Sequence, residues 1–250
     1  MKTAIENVTE QNKLMIHSNY LWYLTLTYSM VIVLSNWFDP RLIKMGVMVT
    51  DAGTLIFPFS FLLSNLITEI YGYKYARRTI WCGFLFNLIF IIYGQLIVHM
   101  PNPDFLNNNA LFDALLTINS RIIFASFISY FVSECFNSYI ISIIKIKTKG
   151  RHMGLRFFLS TFIASGLDSI VFMTIGFYKT IPDSFFLSMM LTMWFIKVFI
   201  ELCGLPFSLK LVNRIKKIEK LDIYDNQTNF NLFCFDLNYT QQENKYLEKN

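Results

Sequence analysis

Residues 57–78 read FPFSFLLSNLITEIYGYKYARR. The stretch is apolar as far as Tyr71, and Pro58 marks a helix start or a kink at its head. Its polar exceptions are ordered. Asn65 and Glu69 stand four apart and share one helical face, with Ser64 and Thr68 beside them. Lys74, Arg77 and Arg78 follow at once. An apolar helix with one polar seam, closed by basic residues, is the pattern of a membrane span whose basic end faces the cytoplasm.

The rest of the chain repeats that pattern. Apolar residues make up 54% of its 250 positions, 26 of them Phe, and the mean hydropathy is +0.42. A soluble domain of this length does not have that composition. Runs near the 20-residue bilayer requirement fall at Tyr20–Phe38, Thr54–Tyr71, Thr79–His99, Arg121–Ile146, Gly154–Tyr178 and Ser184–Val212. None has the two-residue alternation of an outer-membrane barrel, and each must satisfy its backbone internally. The expected fold is all-α, a bundle of six transmembrane helices over 20–212. A polar arm (1–19) precedes it and a tail (213–250) follows it.

Basic residues collect after span two, after span four (Lys145, Lys147, Lys149, Arg151, Arg156) and after span six (Lys210, Arg214, Lys216, Lys217, Lys220). Lys2 and Lys13 add to the arm, whereas 102–120 has no basic residue and carries Asp104 and Asp113. The first outer loop breaks the rule, with Arg41 and Lys44 beside Asp39 and Asp51. This distribution predicts both termini in the cytoplasm and a multi-pass protein of the bacterial inner membrane. The positive charge is split among turns, so it indicates topology and contact with the lipid bilayer, with no nucleic-acid partner. The arm lacks a cleavage site before the first apolar run, so span one reads as an uncleaved anchor.

Several reaction classes fall away. Cys82, Cys135, Cys203 and Cys234 are scattered, and His17, His99 and His152 are isolated, so neither metal site nor disulfide framework is expected. Gly150 to Gly154 is too short for a phosphate loop, and no Walker-type lysine follows a glycine loop. No cofactor and no catalytic chemistry are expected.

Six ionisable side chains lie in or at the ends of the spans: Glu69, Arg121, Glu134, Asp168, Lys197 and Glu201. Each costs roughly 2.5–3.5 kcal/mol on insertion scales, and such residues usually line a pathway for something polar. Each also has a structural reading. Glu69 meets Lys74 or Arg77 at the interface. Arg121 is an interfacial anchor. Glu134, on a stripe with Ser126, Tyr130, Ser133 and Asn137, ties helices together in protonated form. Asp168, flanked by Ser165 and Ser169, pairs with Lys197. Lys197 and Glu201 are four apart and pair within one helix, although in the less favourable order. Pro206 kinks or ends that helix. Tyr20, Trp22, Tyr23, Trp81 and Trp194 are read as belt or packing aromatics.

Taken in order, these segments resemble the queuosine precursor transporters, a six-span family also grouped as vitamin uptake proteins. Phe57-Pro58, Glu69, Tyr71-Gly72 and Ala76-Arg77 match its F-P, E-x-Y-G and A-R elements. The resemblance continues at SRIIFASFISY (120–130), at FFLSTFIASGLDSIVF (157–172), at Lys197, Glu201 and Pro206, and in the tail at LDIYDNQTNFN (221–231). It covers about Tyr20 to Phe233. There are departures: the family's T-D is Ser64-Asn65, its Q-x-x-D is Glu134-x-x-Asn137, and a glutamine two residues before Asp168 is Gly166.

The resemblance implies import of 7-deazaguanines, the cyano or aminomethyl precursors of queuosine or the base queuine. The polar side chains of the spans give the candidate substrate site: Asn65, Glu69, Arg121, Glu134, Asn137, Asp168 and Lys197. The chemistry agrees. A guanine-like edge offers neighbouring N–H donors that a carboxylate accepts with charge assistance, and amides donate to the ring carbonyl. Two other classes are weighed against this one. A substrate-capturing subunit for a separate ATPase calls for a small-residue face on span one, where Thr25 and Ser29 offer little. An intramembrane enzyme calls for a nucleophile–base pattern that the carboxylates do not form.

Overall fold

Hydrocarbon leaves a spanning backbone few choices, and every long apolar run here is helical. The computed structural model describes residues 13–14, 18–46, 48–101, 109–117 and 120–246. Its helices are α1 (Leu21–Phe38), α2 (Pro58–Tyr71), α3 (Tyr73–Val98), α4 (Asn109–Thr117), α5 (Ser120–Lys147), α6 (Met153–Gly176) and α7 (Asp183–Glu219). A 3₁₀ turn, Gly53–Leu55, leads into α2. All but the short α4 are long and apolar enough to cross a membrane, which makes six. Two small antiparallel pairings complete the fold: β1 (Lys13–Leu14) with β4 (Tyr239–Thr240), and the hairpin of β2 (Leu42–Met45) with β3 (Met48–Asp51).

The helix α2 is the axis of the bundle. It touches α1, α3, α5 and α7, and 78% of its spanning stretch is buried, against 17% for α3. Its polar seam therefore faces protein on every side. The outer surface inverts soluble practice: Ile89, Tyr93, Phe195 and Phe199 are exposed, as lipid requires.

The six spans lie where the apolar runs placed them, but two ends differ. The third helix starts at Tyr73 instead of Thr79, because the tail caps it. Asp225 accepts from the Tyr73 N–H (3.1 and 3.0 Å to its two oxygens), and the Tyr239 hydroxyl accepts from the Lys74 N–H at 3.0 Å. Gly72 joins α2 to α3 at φ 83°, and a Cβ there would collide with the Tyr239 hydroxyl.

The sixth helix runs through Pro206 to Glu219, past the expected end at Val212. At 1.5 Å per residue it is about 55 Å long, so it stands well clear of a ~30 Å hydrocarbon layer. The turns beyond Pro206 stay helical because Ser208, Val212 and Ile215 are buried. Val212 and Ile215 pack with Leu66, Ile67, Ile70 and Tyr71 of α2, with Phe157, and with Ile223 and Tyr239 of the tail. The tail lies along the helix ends: Arg77 donates to the carbonyls of Asn229 (2.9 Å) and Asn231 (2.6 Å), and Trp81 to that of Leu232 (3.0 Å).

Candidate substrate site

Asp168 sits two-thirds of the way along α6, and Lys197 lies in the first half of α7. They form a salt bridge across the helix interface, each side chain 3% exposed. Lys197 therefore pairs across the bundle and not with Glu201 of its own helix. Ser133 of α5 also donates to Asp168, at 3.3 Å. The Lys197 ammonium lies 4.9 Å from the centre of the Phe57 ring, a cation–π distance.

The pair borders a narrow cavity with room for about one water molecule, walled by Phe57, Phe172 and Met193 and by the polar groups of Ser126, Asp39 and Asp51. The last two were read from the sequence only as outer-loop charges. Asp39 follows directly on α1, and the β2–β3 hairpin folds the chain back so that Asp51 returns beside it. Gly53 permits the approach: a Cβ there would collide with Asp39 Oδ1. Ser126 donates to Asp39 at 2.8 Å. Asp51 accepts from the Thr54 N–H at 2.7 Å and the Thr54 hydroxyl at 2.6 Å. Burial, reinforced by the charge of Asp51, holds the Asp39 carboxyl well above the usual carboxylate range. The cavity thus presents three carboxyl groups, one ammonium and an aromatic wall.

A second polar cluster continues from the first along α5. Ser60 donates to Glu134 Oε1 at 2.6 Å. Asn137 donates to Asn65 at 2.7 Å, and Asn65 donates in turn to Glu201 at 2.8 Å and Thr161 at 3.2 Å. Ser64, Ser138 and Thr68 extend it as a ladder of hydroxyls, with Ser64 and Ser138 3.1 Å apart and Thr68 donating to Ser138 at 3.2 Å. Asn65, Glu134 and Asn137 are wholly buried and do not line that cavity.

Glu69 and Arg121 have other partners. Arg156 grips the Glu69 carboxylate through two nitrogens at 2.9 and 2.6 Å. Lys216 adds a bond at 2.5 Å, and Lys145 stands 3.7 Å away. Both lysines also bridge to Asp222 of the tail, at 2.7 and 2.9 Å. The partners expected for Glu69 are engaged elsewhere: Lys74 with Asp236 at 3.0 Å and Arg77 with tail carbonyls. Arg121 donates to the carbonyls of Ile175 (2.7 Å) and Tyr178 (2.9 Å) and to the Thr180 hydroxyl (3.3 Å), which closes the end of α6. Neither residue lines the cavity.

Of the seven candidates, then, the structure puts Asp168 and Lys197 on the cavity. Asn65, Glu134 and Asn137 form the cluster beyond it, and Glu69 and Arg121 tie opposite ends of the bundle. Asp39 and Asp51 were detectable as the charges that broke the loop rule. Among the described residues, no group of three or more His, Cys, Asp and Glu side chains is placed to hold a metal ion.

A family model described as "Putative vitamin uptake transporter" matches residues 51–211. The "Probable queuosine precursor transporter" of Bacillus subtilis (strain 168) is 25% identical over 159 residues, 62% of this chain and 69% of that protein. The "Queuosine precursor transporter" of Escherichia coli (strain K12) is 26% identical over 165 residues, 66% of this chain and 72% of that protein. No solved structure matches.

Proposed function

This chain belongs to the vitamin uptake transporter family matched over residues 51–211, and we propose that it imports a 7-deazaguanine queuosine precursor, or queuine, across the bacterial inner membrane. The observation that carries this reading is the buried Asp168–Lys197 pair on a small cavity with an aromatic wall. Burying two charges is costly, and ionisable side chains held within spans usually mark a path for something polar.

The roles follow from donor and acceptor chemistry. Asp168 accepts the paired N–H groups of the guanine-like edge, Lys197 donates to the ring carbonyl, and Phe57 and Phe172 flank the ring. Asp51 attracts an aminomethyl cation at the cavity, and the neighbouring Asp39 carboxyl accepts a hydrogen bond from it. Asn65, Glu134 and Asn137 receive the base as it moves inward. Glu69 and Arg121 keep the bundle ends together. The names of the two relatives supply the substrate class. The basic end of the bundle, with Lys74, Lys145 and Lys216, is assigned to the cytoplasm, together with both termini.

The test is uptake of the cyano and aminomethyl 7-deazaguanines and queuine in cells that lack their own synthesis and uptake. Expression of this chain restores accumulation of at least one base. No accumulation of any of the three, with folded protein in the membrane, refutes the assignment.

A further inference from the structure

Among the described residues, two carboxylates deep within the spans have no ion-pair partner. Asp168 has Lys197, and Glu69 has Arg156, Lys145 and Lys216. Glu134 and Glu201 are 0% and 1% exposed, yet neither joins an ion pair among the described residues. Each has one oxygen placed: Glu134 Oε1 accepts from Ser60 and Glu201 Oε1 from Asn65. The other oxygen of each, and Asn137 Oδ1, is buried with no hydrogen bond placed among the described residues, although the hydroxyls of Ser64 and Tyr28 stand near Glu134 and that of Thr161 near Glu201. The cluster has three acceptor oxygens without a placed bond and, among the described residues, no cation paired with its two carboxyls. A proton on either carboxyl turns an acceptor into a donor and removes a charge that nothing balances.

Among the described residues, no cation pairs with either carboxyl. Glu201 of α7 faces Asn65 of α2, Thr161 of α6 and the charge of Glu134. Glu134 faces Ser60 and Ser64 of α2, Tyr28 of α1, Asp168 of α6, and Tyr130 and Cys135 of its own helix. Behind Tyr130, α3 supplies the Ile80 carbonyl and Cys82. Lys197, one turn before Glu201, is held by Asp168. Ser133 links Asp168 to the residue beside it, Glu134, and the ladder of Ser64, Ser138 and Thr68 continues toward the Glu69 cluster. The polar groups thus run from the cavity past both carboxyls to the basic end.

We propose that Glu201, with Glu134 as its neighbour, is a proton-binding site that couples inward movement of the cargo to inward flow of protons. A proton enters from the cavity side, forms an O–H bond on the carboxylate, and leaves to water at the basic end when the cargo departs. No oxidation or reduction is involved, and each proton carries one positive charge inward. The coupling rests on the import reading, and the test separates the two.

Purified protein in vesicles, loaded with a pH dye, is given radiolabelled 7-cyano-7-deazaguanine outside. Base entry acidifies the interior. An inside-alkaline gradient of one pH unit drives up to about tenfold accumulation per proton. Glu201→Gln keeps exchange of labelled for unlabelled base and loses the gradient-driven accumulation. Entry without acidification, or gradient-driven accumulation that survives Glu201→Gln, overturns the proposal and leaves import standing. If no base moves at all, the import reading fails for that base, and infrared spectra of the protein alone decide the proton site. A protonated-carboxyl band at neutral pH that Glu201→Gln removes supports it, and the absence of such a band overturns it.

Discussion

Asp168→Asn separates substrate recognition from mere bracing, provided it is read beside a second variant. The amide has the shape of the carboxylate and can still take the bond from Ser133, but it strands the Lys197 ammonium, whose side chain is 3% exposed. Removing one partner of a buried pair costs about 3–5 kcal/mol, so the single variant melts earlier in detergent and gives less folded protein. If Asp168 also reads the cargo, the N–H groups of the base lose a charged acceptor worth about 1.5–3 kcal/mol, roughly a ten- to hundredfold loss in affinity. The two losses are confounded in the single variant. Asp168→Asn with Lys197→Met removes both charges, and neutral replacements of such pairs are often tolerated. Thermal stability therefore returns close to the parent value, while uptake of radiolabelled base per folded molecule stays at least about tenfold down. Stability and uptake returning together would refute the reasoning and leave the pair a brace.

Four other outcomes are expected. Glu134→Gln impairs uptake and the added Asn137→Asp partly restores it, because the two positions share a face one turn apart; wild-type uptake by Glu134→Gln removes that carboxylate from the pathway. Glu69→Gln leaves Arg156, Lys145 and Lys216 with one less anion, so folded yield falls by an amount matching about 3–5 kcal/mol, as measured by thermal melting; an unchanged melting point means the cluster is dispensable. Asp39, whose folded carboxyl titrates well above its unfolded value, takes up a proton on folding. Its contribution to stability is complete below the unfolded pKa and is lost as pH rises through the folded one, so Asp39→Asn flattens the fall in melting temperature across that window. A cysteine at Lys147 is inaccessible to impermeant reagent from outside the cell, and labelling there contradicts the assigned topology.

The distribution of sequence signals explains what was legible. Six apolar runs with positive ends determine six helices, because a backbone in lipid has no other solution for a run of that length. The polar seams were legible too, since Asn65 with Glu69 and Glu134 with Asn137 fall at helical spacing whatever the helices pack against. Partners are a different matter. Glu69 stands next in sequence to Lys74 and Arg77, but its cations are Lys145, Arg156 and Lys216 from α5, α6 and α7. Helix rotation points Glu69 into the bundle, and the tail draws Lys74 and Arg77 away.

Asp39 and Asp51 carried no periodicity, so only the fold-back of the hairpin could bring them to the Asp168 cavity. Nor did composition distinguish a loose tail from one whose Asp225 and Tyr239 begin a helix more than 150 residues earlier in the chain. Spacing along one segment says which side chains share a face. Which face meets which is settled by packing six helices at once, and it is there that the charges found their counterparts, or, at Glu134 and Glu201, found none among the described residues.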